Sequence, residues 1–252
     1  MEIQNRATRL KLFDFKSPQM RAFHMSWFAF FLCFFAWFGI APLMSIVREE
    51  MGFSKEQVGW CIIGSVAATV IARLFIGWLC DRIGPRLAYT WLLTLGSIPV
   101  MAIAFATDYT SFLMFRMAIG VIGASFVITQ YHTSIMFAPI CVGTANATTA
   151  GWGNLGGGVT QLVMPLVFAF FIGTLGLTSA ASWRASMVLA GVMCALTGMA
   201  YYFLTQDTPD GNFNDLRERG LMPKKKAVKG TFLEACQDRR VWALFALYGA
   251  CF

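Results

Sequence analysis

Ala150-Gly-Trp-Gly-Asn-Leu-Gly-Gly-Gly-Val-Thr-Gln161 decides how this chain is read. Five of its residues are glycine (Gly151, Gly153, Gly156, Gly157 and Gly158), and apolar sequence from about Ala145 to Leu175 surrounds it. Gly151, Gly153 and Gly156 satisfy the spacing of a dinucleotide fingerprint. That motif needs a preceding strand, an amphipathic helix and an acid about 20 positions on to hold a ribose. Here the next acid is Asp207, and both flanks are apolar and of helix length. Glycine at this density in a membrane-length segment instead lets a second backbone, or a ligand, approach the helix surface. Asn154 is the one strongly polar side chain in the cluster. At membrane depth its amide is costly unless it meets a partner.

Composition gives the class. Of 252 residues 57% are hydrophobic and only 13% charged, with a mean hydropathy of +0.61. An all-α polytopic membrane protein follows. The first apolar run, about Ala22–Val47, is too long for a signal-peptide core and lacks a small-residue exit. Seven cysteines stand singly, without a Cys-x-x-Cys pair, and the histidines are His24 and His132 alone. The sequence therefore predicts neither a metal site nor a cofactor. No acid lies mid-segment and His132 stands by itself, so a membrane-embedded enzyme is not expected.

Working outward from the glycine stretch gives six apolar segments: about Ala22–Val47, Gln57–Leu79, Leu87–Ala106, Ser111–Pro139, Ala145–Leu175 and Trp183–Thr205. Each is long enough to cross roughly 30 Å of hydrocarbon as a helix. Barrel strands would be about ten residues long and half polar. A seventh segment starts near Arg240 and stops at Phe252, predicting a helix cut short by the chain end. The expected organisation is residues 1–21 as a terminal segment, 22–205 as a six-helix bundle, 206–239 as a linker, and 240–252 as the start of helix seven.

Fifteen of the 20 lysines and arginines fall before the first segment, in the loop after the second, and in the loop after the sixth. The loops on the other side hold Arg48 and Lys55 beside Glu49, Glu50 and Glu56. This asymmetry predicts a multi-pass protein of the cytoplasmic (inner or plasma) membrane with its N-terminus in the cytoplasm. The net charge of +7 reflects it and is not a nucleic-acid footprint. Lys224–Lys226 reads as a solvated run beside anionic lipid. Asp207-Thr-Pro-Asp-Gly-Asn212 is a turn-rich linker. Thr231-Phe-Leu-Glu234 offers a helix capping box.

Three further groups carry a resemblance. Gly77-Trp-Leu-Cys-Asp81-Arg82-Ile-Gly84-Pro-Arg86 resembles the major facilitator signature between the second and third helices. Arg116, Gly120 and Gly123 are similar to that superfamily's pattern on helix four, and Trp183-Arg184 to the pair opening helix six. Ala150–Gln161 resembles the fifth-helix signature of the nitrate/nitrite porter family, in the branch of plant-type and bacterial high-affinity nitrate transporters. Phe30–Phe38, Arg73-Leu-Phe75, Gln130-Tyr131 and Thr208–Asn212 agree with it.

The resemblance implies the N-terminal six-helix bundle of a major facilitator fold, built from two three-helix inverted repeats. It further implies a secondary active transporter of nitrate or nitrite working by alternating access, with proton-coupled uptake and a required C-terminal six-helix half. It places Arg73 on the anion, with Asn154, Phe126, Gly151, Gly153, Gly156 and Gly157 around it. Gly77, Asp81, Arg82, Gly84, Arg86, Arg116 and Gly120 become gating or structural residues, Asp81 as a charge latch. The residues themselves agree on Arg73, whose charge in Val70–Ile76 is expensive facing lipid. A guanidinium can give planar nitrate two parallel hydrogen bonds. Counted from Cys80 and Ala145, Arg73 and Asn154 both lie roughly 10–14 Å inside the basic boundary. A facilitator for another small anion or organic solute, and a nitrate/nitrite exchanger, remain alternatives.

Overall fold

The computed structural model describes residues 5–221 and 236–251. Among them six helical spans are long and apolar enough to cross a membrane. The first runs Pro18–Met51 and is broken: α1 (Pro18–Phe38), a 3₁₀ turn at Ala41–Leu43, and α2 (Met44–Met51). Proline starts it, where its missing N–H costs nothing, and Gly52 stops it in the left-handed region at φ 69°. The second span, α3 (Lys55–Ile83), opens on a reciprocal capping box between Ser54 and Gln57. The third joins α4 (Pro85–Ala102) to a 3₁₀ turn at Ile103–Phe105.

The fourth span is α5 (Tyr109–Gly120), a 3₁₀ stretch Val121–Ala124, and α6 (Ser125–Met136). The sequence shows it as one continuous run; the break falls at Gly120 and Gly123, where the helix presses on its neighbour. The fifth is α7 (Pro139–Gly173) and the sixth α8 (Ser179–Leu204). A short helix α9 (Phe213–Glu218) and a helix Arg239–Cys251 follow. The expected cap at Thr231–Glu234 and the Lys224–Lys226 run lie outside the described residues.

One boundary moves by enough to matter. The fifth helix starts at Pro139, not near Ala145. Its polar first turns stay helical because Thr148 and Thr149 hydroxyls donate back to the Thr144 and Ala145 carbonyls at 2.8 and 3.1 Å. Asn154 consequently lies about 22 Å from that helix end, at 1.5 Å per residue. The second helix runs on to Ile83, which puts Arg73 about 15 Å from its end.

Glycine sets the packing. On the fifth span, a Cβ at Gly156 would meet the Phe31 carbonyl of the first, and one at Gly153 would meet the Phe30 ring. Thr160 Oγ1 donates to the Phe35 carbonyl at 3.0 Å on the same seam. On the fourth, a Cβ at Gly120 would strike the backbone of Ser65 on the second. On the sixth, Gly191 and Gly198 press against Met101, Ser97, Leu93 and Thr94 of the third. The close pairs are thus first with fifth, second with fourth, and third with sixth.

That pattern is what an internal two-fold demands. Exchanging spans one with four, two with five and three with six turns the pair 1–5 into 4–2 and leaves 3–6 unchanged. Burial obeys the same exchange: 56% of the apolar core of spans one and four is buried, 39% of three and six, and 22% and 17% of two and five. Two three-helix repeats, inverted relative to each other, account for both facts. Spans one and four form the centre; two and five carry the exposed apolar faces, including Val70, Ile71, Leu74, Leu155 and Leu162.

Candidate functional site

The second span meets the fourth along a seam that fixes the depth of Arg73. Thr69 Oγ1 donates to the Gly120 carbonyl at 2.6 Å, and its side chain fills the space beside Gly123. Two turns later Gly77 faces Val127. Arg73 lies midway on that stretch, at the level of Phe126. The Phe126 ring is 5.7 Å from Phe30, whose ring occupies the notch left by Gly153. Asn154 follows Gly153 in the chain. Arg73, Phe126 and Asn154 therefore share one level of the bundle, although Asn154 lies deeper in its own helix than the sequence suggests.

Neither polar group is satisfied. Arg73 is half-buried, and its Nε is fully shielded with no hydrogen-bond partner among the described residues. The Asn154 amide likewise makes no hydrogen bond among them. Buried polar groups in native proteins are nearly always paired. A guanidinium and an amide at one depth, both without a hydrogen-bond partner among the described residues, are donors of the kind an oxyanion accepts from.

The four predicted glycines divide. Gly153 and Gly156 are buried against the first span, and Gly157 meets Phe38 and Phe34. Gly151 is exposed with nothing within 4 Å of a Cβ built there.

Arg116, by contrast, is embedded. Only 5% of it is exposed, and Nη1 donates to the Trp37 carbonyl at 2.9 Å. Trp37 Nε1 donates in turn to Ser65 Oγ at 2.8 Å, so Arg116 ties together the first, second and fourth spans.

At the basic end, Gly84 has φ 88°, and a side chain there would collide with the Asp207 carboxylate. Asp207 was not singled out from sequence. Its Oδ1 accepts from Arg86 N–H at 2.9 Å and its Oδ2 from Phe213 N–H at 3.0 Å, capping the third span and α9 together. Burial pushes its carboxyl above the ordinary value, while those two N–H groups and the charges of Arg86 and Arg217 pull the other way. Arg86 lies over Tyr202 and donates to its carbonyl at 2.8 Å. Arg82 lies over Trp78, and its carbonyl accepts from Arg217 at 2.7 Å. Asp81 accepts the Tyr131 hydroxyl at 3.2 Å, which links the second span to the fourth.

At the far end the Trp183-Arg184 pair holds three spans. Glu50 accepts from Trp183 Nε1 and from Arg184 Nη1, both at 2.6 Å. Arg184 also donates to the Ala104 and Ala106 carbonyls. Glu50 was read only as one of three loop acids, and nothing in the sequence separates it from Glu49 as the partner of the Trp-Arg pair.

His132, read as solitary, has partners. Nε2 lies 2.8 Å from the Gln206 carbonyl, which can only accept, so that nitrogen carries the proton. Nδ1 then accepts from the Tyr201 hydroxyl at 2.6 Å, and Ser26 Oγ donates to Tyr201 at 2.9 Å. This is a satisfied core histidine pinning the fourth span to the sixth and the linker.

The fold and these signatures define a six-helix membrane bundle built as two inverted three-helix repeats, the architecture of a transporter-fold half. The chain belongs to the Major Facilitator Superfamily, whose model matches residues 26–252. It is 39% identical to high affinity nitrate transporter 2.5 of Arabidopsis thaliana over all of this chain and 50% of that protein. Similarity to high-affinity nitrate transporter 2.3 of Oryza sativa subsp. japonica is 38%, covering 98% of this chain and 48% of the relative. The nitrate/nitrite transporter NrtP of Nostoc punctiforme is 35% identical, over 93% and 44%. The chain spans about half the length of these relatives. Among solved structures, a bacterial homolog of the human lysosomal transporter Spinster, inward-facing and unoccupied, superposes with a TM-score of 0.66 at 16% identity. That match covers 91% of this chain and 51% of the other, and it shows the fold alone. The chain is a transporter-family membrane protein, not an enzyme.

Proposed function

We propose that this bundle is the first half of a carrier that moves nitrate, or nitrite, across the cytoplasmic membrane by alternating access. The observation that carries the proposal is the Arg73 guanidinium, which makes no hydrogen bond among the described residues and has a shielded Nε, at the level of Phe126 and Asn154. A cation left without a partner inside a bundle is costly, and a planar oxyanion removes that cost. The guanidinium supplies two parallel hydrogen bonds and the charge; Asn154 adds a neutral donor. Phe126 bounds the anion by its ring face or edge. The similarity to nitrate transporters of plants and a cyanobacterium supports nitrate or nitrite as that oxyanion.

The exposed apolar faces of the second and fifth spans support a second six-helix bundle closing over the site. Matching relatives about twice as long agree with it. Rocking of one bundle against the other would expose Arg73 to each side in turn. The basic end faces the cytoplasm in this reading, and uptake is driven by protons. The site as described would also accept another small oxyanion, or nitrite in exchange for nitrate. Uptake of labelled nitrate into proteoliposomes, by protein comprising this chain and the second bundle, tests the reading. Competition by nitrite and not by formate, chloride or phosphate is expected, with stimulation by an inward proton gradient. Stronger competition by formate or phosphate would replace the substrate; gradient-independent, nitrite-driven counterflow would replace symport by exchange.

A further inference from the structure

A second basic site lies far from Arg73, where residues 5–17 form a strap across the basic end. Ala7 N–H donates to the Met136 carbonyl at 3.0 Å, and Ala138 N–H donates to the Ala7 carbonyl at 2.9 Å. Asn5 Nδ2 donates to Asp210 Oδ1 at 2.8 Å, which anchors the strap to the linker after the sixth span. Between the strap and the start of α1 is a cavity of about 340 Å³. Arg6, Arg9 and Lys11 line it, with Thr8, Ser17 and Gln19. Asp14 is the acid on its wall, and its Oδ1 is turned to its own backbone, accepting from Lys16 and Ser17 N–H at 2.9 and 3.2 Å. Arg6 Nε is shielded from solvent and has no hydrogen-bond partner among the described residues.

The cavity is thus a concentration of positive charge with an unmet donor, too polar for an acyl chain and well matched to a phosphate. Its surroundings say which kind of phosphate. Phe13 is 93% exposed and Phe15 62%; both lie on the strap between Lys11 and Ser17, which line the cavity, and Phe15 stacks on His24 of α1 at 4.7 Å. Exposed aromatic rings just before a membrane-spanning helix belong at the boundary of headgroups and acyl chains. Free phosphate would leave both rings in water; a phospholipid covers them.

We propose that the strap is a binding site for an anionic phospholipid, with the headgroup phosphate in the Arg6–Arg9–Lys11 cavity and Phe13 and Phe15 in the acyl boundary. Each basic side chain near an anionic surface contributes about fivefold to association, so the three together are worth on the order of 100-fold.

The full chain in detergent, titrated with phosphatidylglycerol or phosphatidylcholine and followed by native mass spectrometry, tests this. Retention of phosphatidylglycerol over phosphatidylcholine is expected. The triple variant Arg6→Gln, Arg9→Gln, Lys11→Gln should lose that preference on the order of 100-fold. A charge-keeping variant, Arg6→Lys with Arg9→Lys, should retain most of it, which separates loss of charge from loss of fold. Phe13→Ser with Phe15→Ser should weaken retention of phosphatidylglycerol, and millimolar inorganic phosphate should displace the lipid from neither protein. No preference for phosphatidylglycerol, or a preference intact in the triple variant, overturns the site. Saturable binding of inorganic phosphate that displaces the lipid at millimolar concentration overturns the lipid assignment in favour of a free anion.

Discussion

Arg73 and Arg116 stand in the same seam, one on the second span and one on the fourth, and the bundle treats them differently. Arg116 is walled in, donates to the Trp37 carbonyl and sits a turn before the glycine that meets Ser65. Each has a shielded Nε without a partner among the described residues, but Arg73 is half-open and no other atom of its guanidinium makes a hydrogen bond there either. One charge has been consumed in holding three helices together; the other has been left over. The difference teaches that an arginine at membrane depth is not a site by its charge alone. It becomes one when the fold withholds partners from it.

The largest expected effect separates the two. In a protein that includes the second bundle, Arg73→Lys should lose nitrate uptake although the charge stays. Lysine cannot present a planar fork, and a lost charge-assisted hydrogen bond of about 1.5–3 kcal/mol corresponds to roughly 10- to 150-fold in affinity. Initial uptake rates at membrane levels matched by blotting measure it. Asn154→Ala, which removes a neutral donor, should cost about 0.5–1.5 kcal/mol of affinity. An Asn154→Ala loss greater than that of Arg73→Lys would reverse the ranking.

The seams sharpen the comparison through stability. Gly120→Ala and Gly156→Ala each drive a Cβ into a neighbouring carbonyl, and overpacking of this kind costs about 1–3 kcal/mol. Gly151→Ala meets open space and should gain up to about 1 kcal/mol from helix propensity. Thermal unfolding in one detergent, read for all three, checks this; equal shifts would remove the glycine seams from the account. If Gly151→Ala keeps its stability yet slows uptake, Gly151 faces the second bundle or the anion.

A smaller effect is expected at the basic end. Asp207→Asn keeps one acceptor but turns an amide N–H toward a second donor, so the Arg86 or Phe213 N–H is lost from the cap at about 1 kcal/mol. Faster amide exchange at one of these two positions, with the spans unchanged, is the expected reading. Unaltered exchange would mean that the carboxylate charge contributes nothing there.

The fold was legible because the spans announce themselves by length, and several by a start or stop that chemistry requires: proline opening them at 18, 85 and 139, glycine closing them at 52 and 84. Arg73 was singled out for a related reason, as a charge inside Val70–Ile76 is expensive facing lipid; its place on the anion is the proposal made above. What escaped was long-range. Nothing in Gln206-Asp207-Thr208 indicates a carboxylate reaching the amide of Arg86, 121 positions away. Glu50 and Arg184 are separated by 134. Such pairs are set by which helix ends meet, and an apolar pattern gives the helices without their neighbours. The fifth helix misled for a local reason: its threonines bond back to their own backbone, so polar sequence that resembled a loop is helix.

The most direct test is equilibrium nitrate binding to purified protein containing both bundles, in the wild type, Arg73→Lys and Arg116→Met. A dissociation constant raised at least about tenfold by Arg73→Lys is expected, with the melting temperature unchanged. Arg116→Met should shift the melting temperature and leave nitrate affinity as it is. Wild-type affinity in Arg73→Lys, or a loss confined to Arg116→Met, would contradict the assignment of the anion to the arginine that the bundle leaves unpaired.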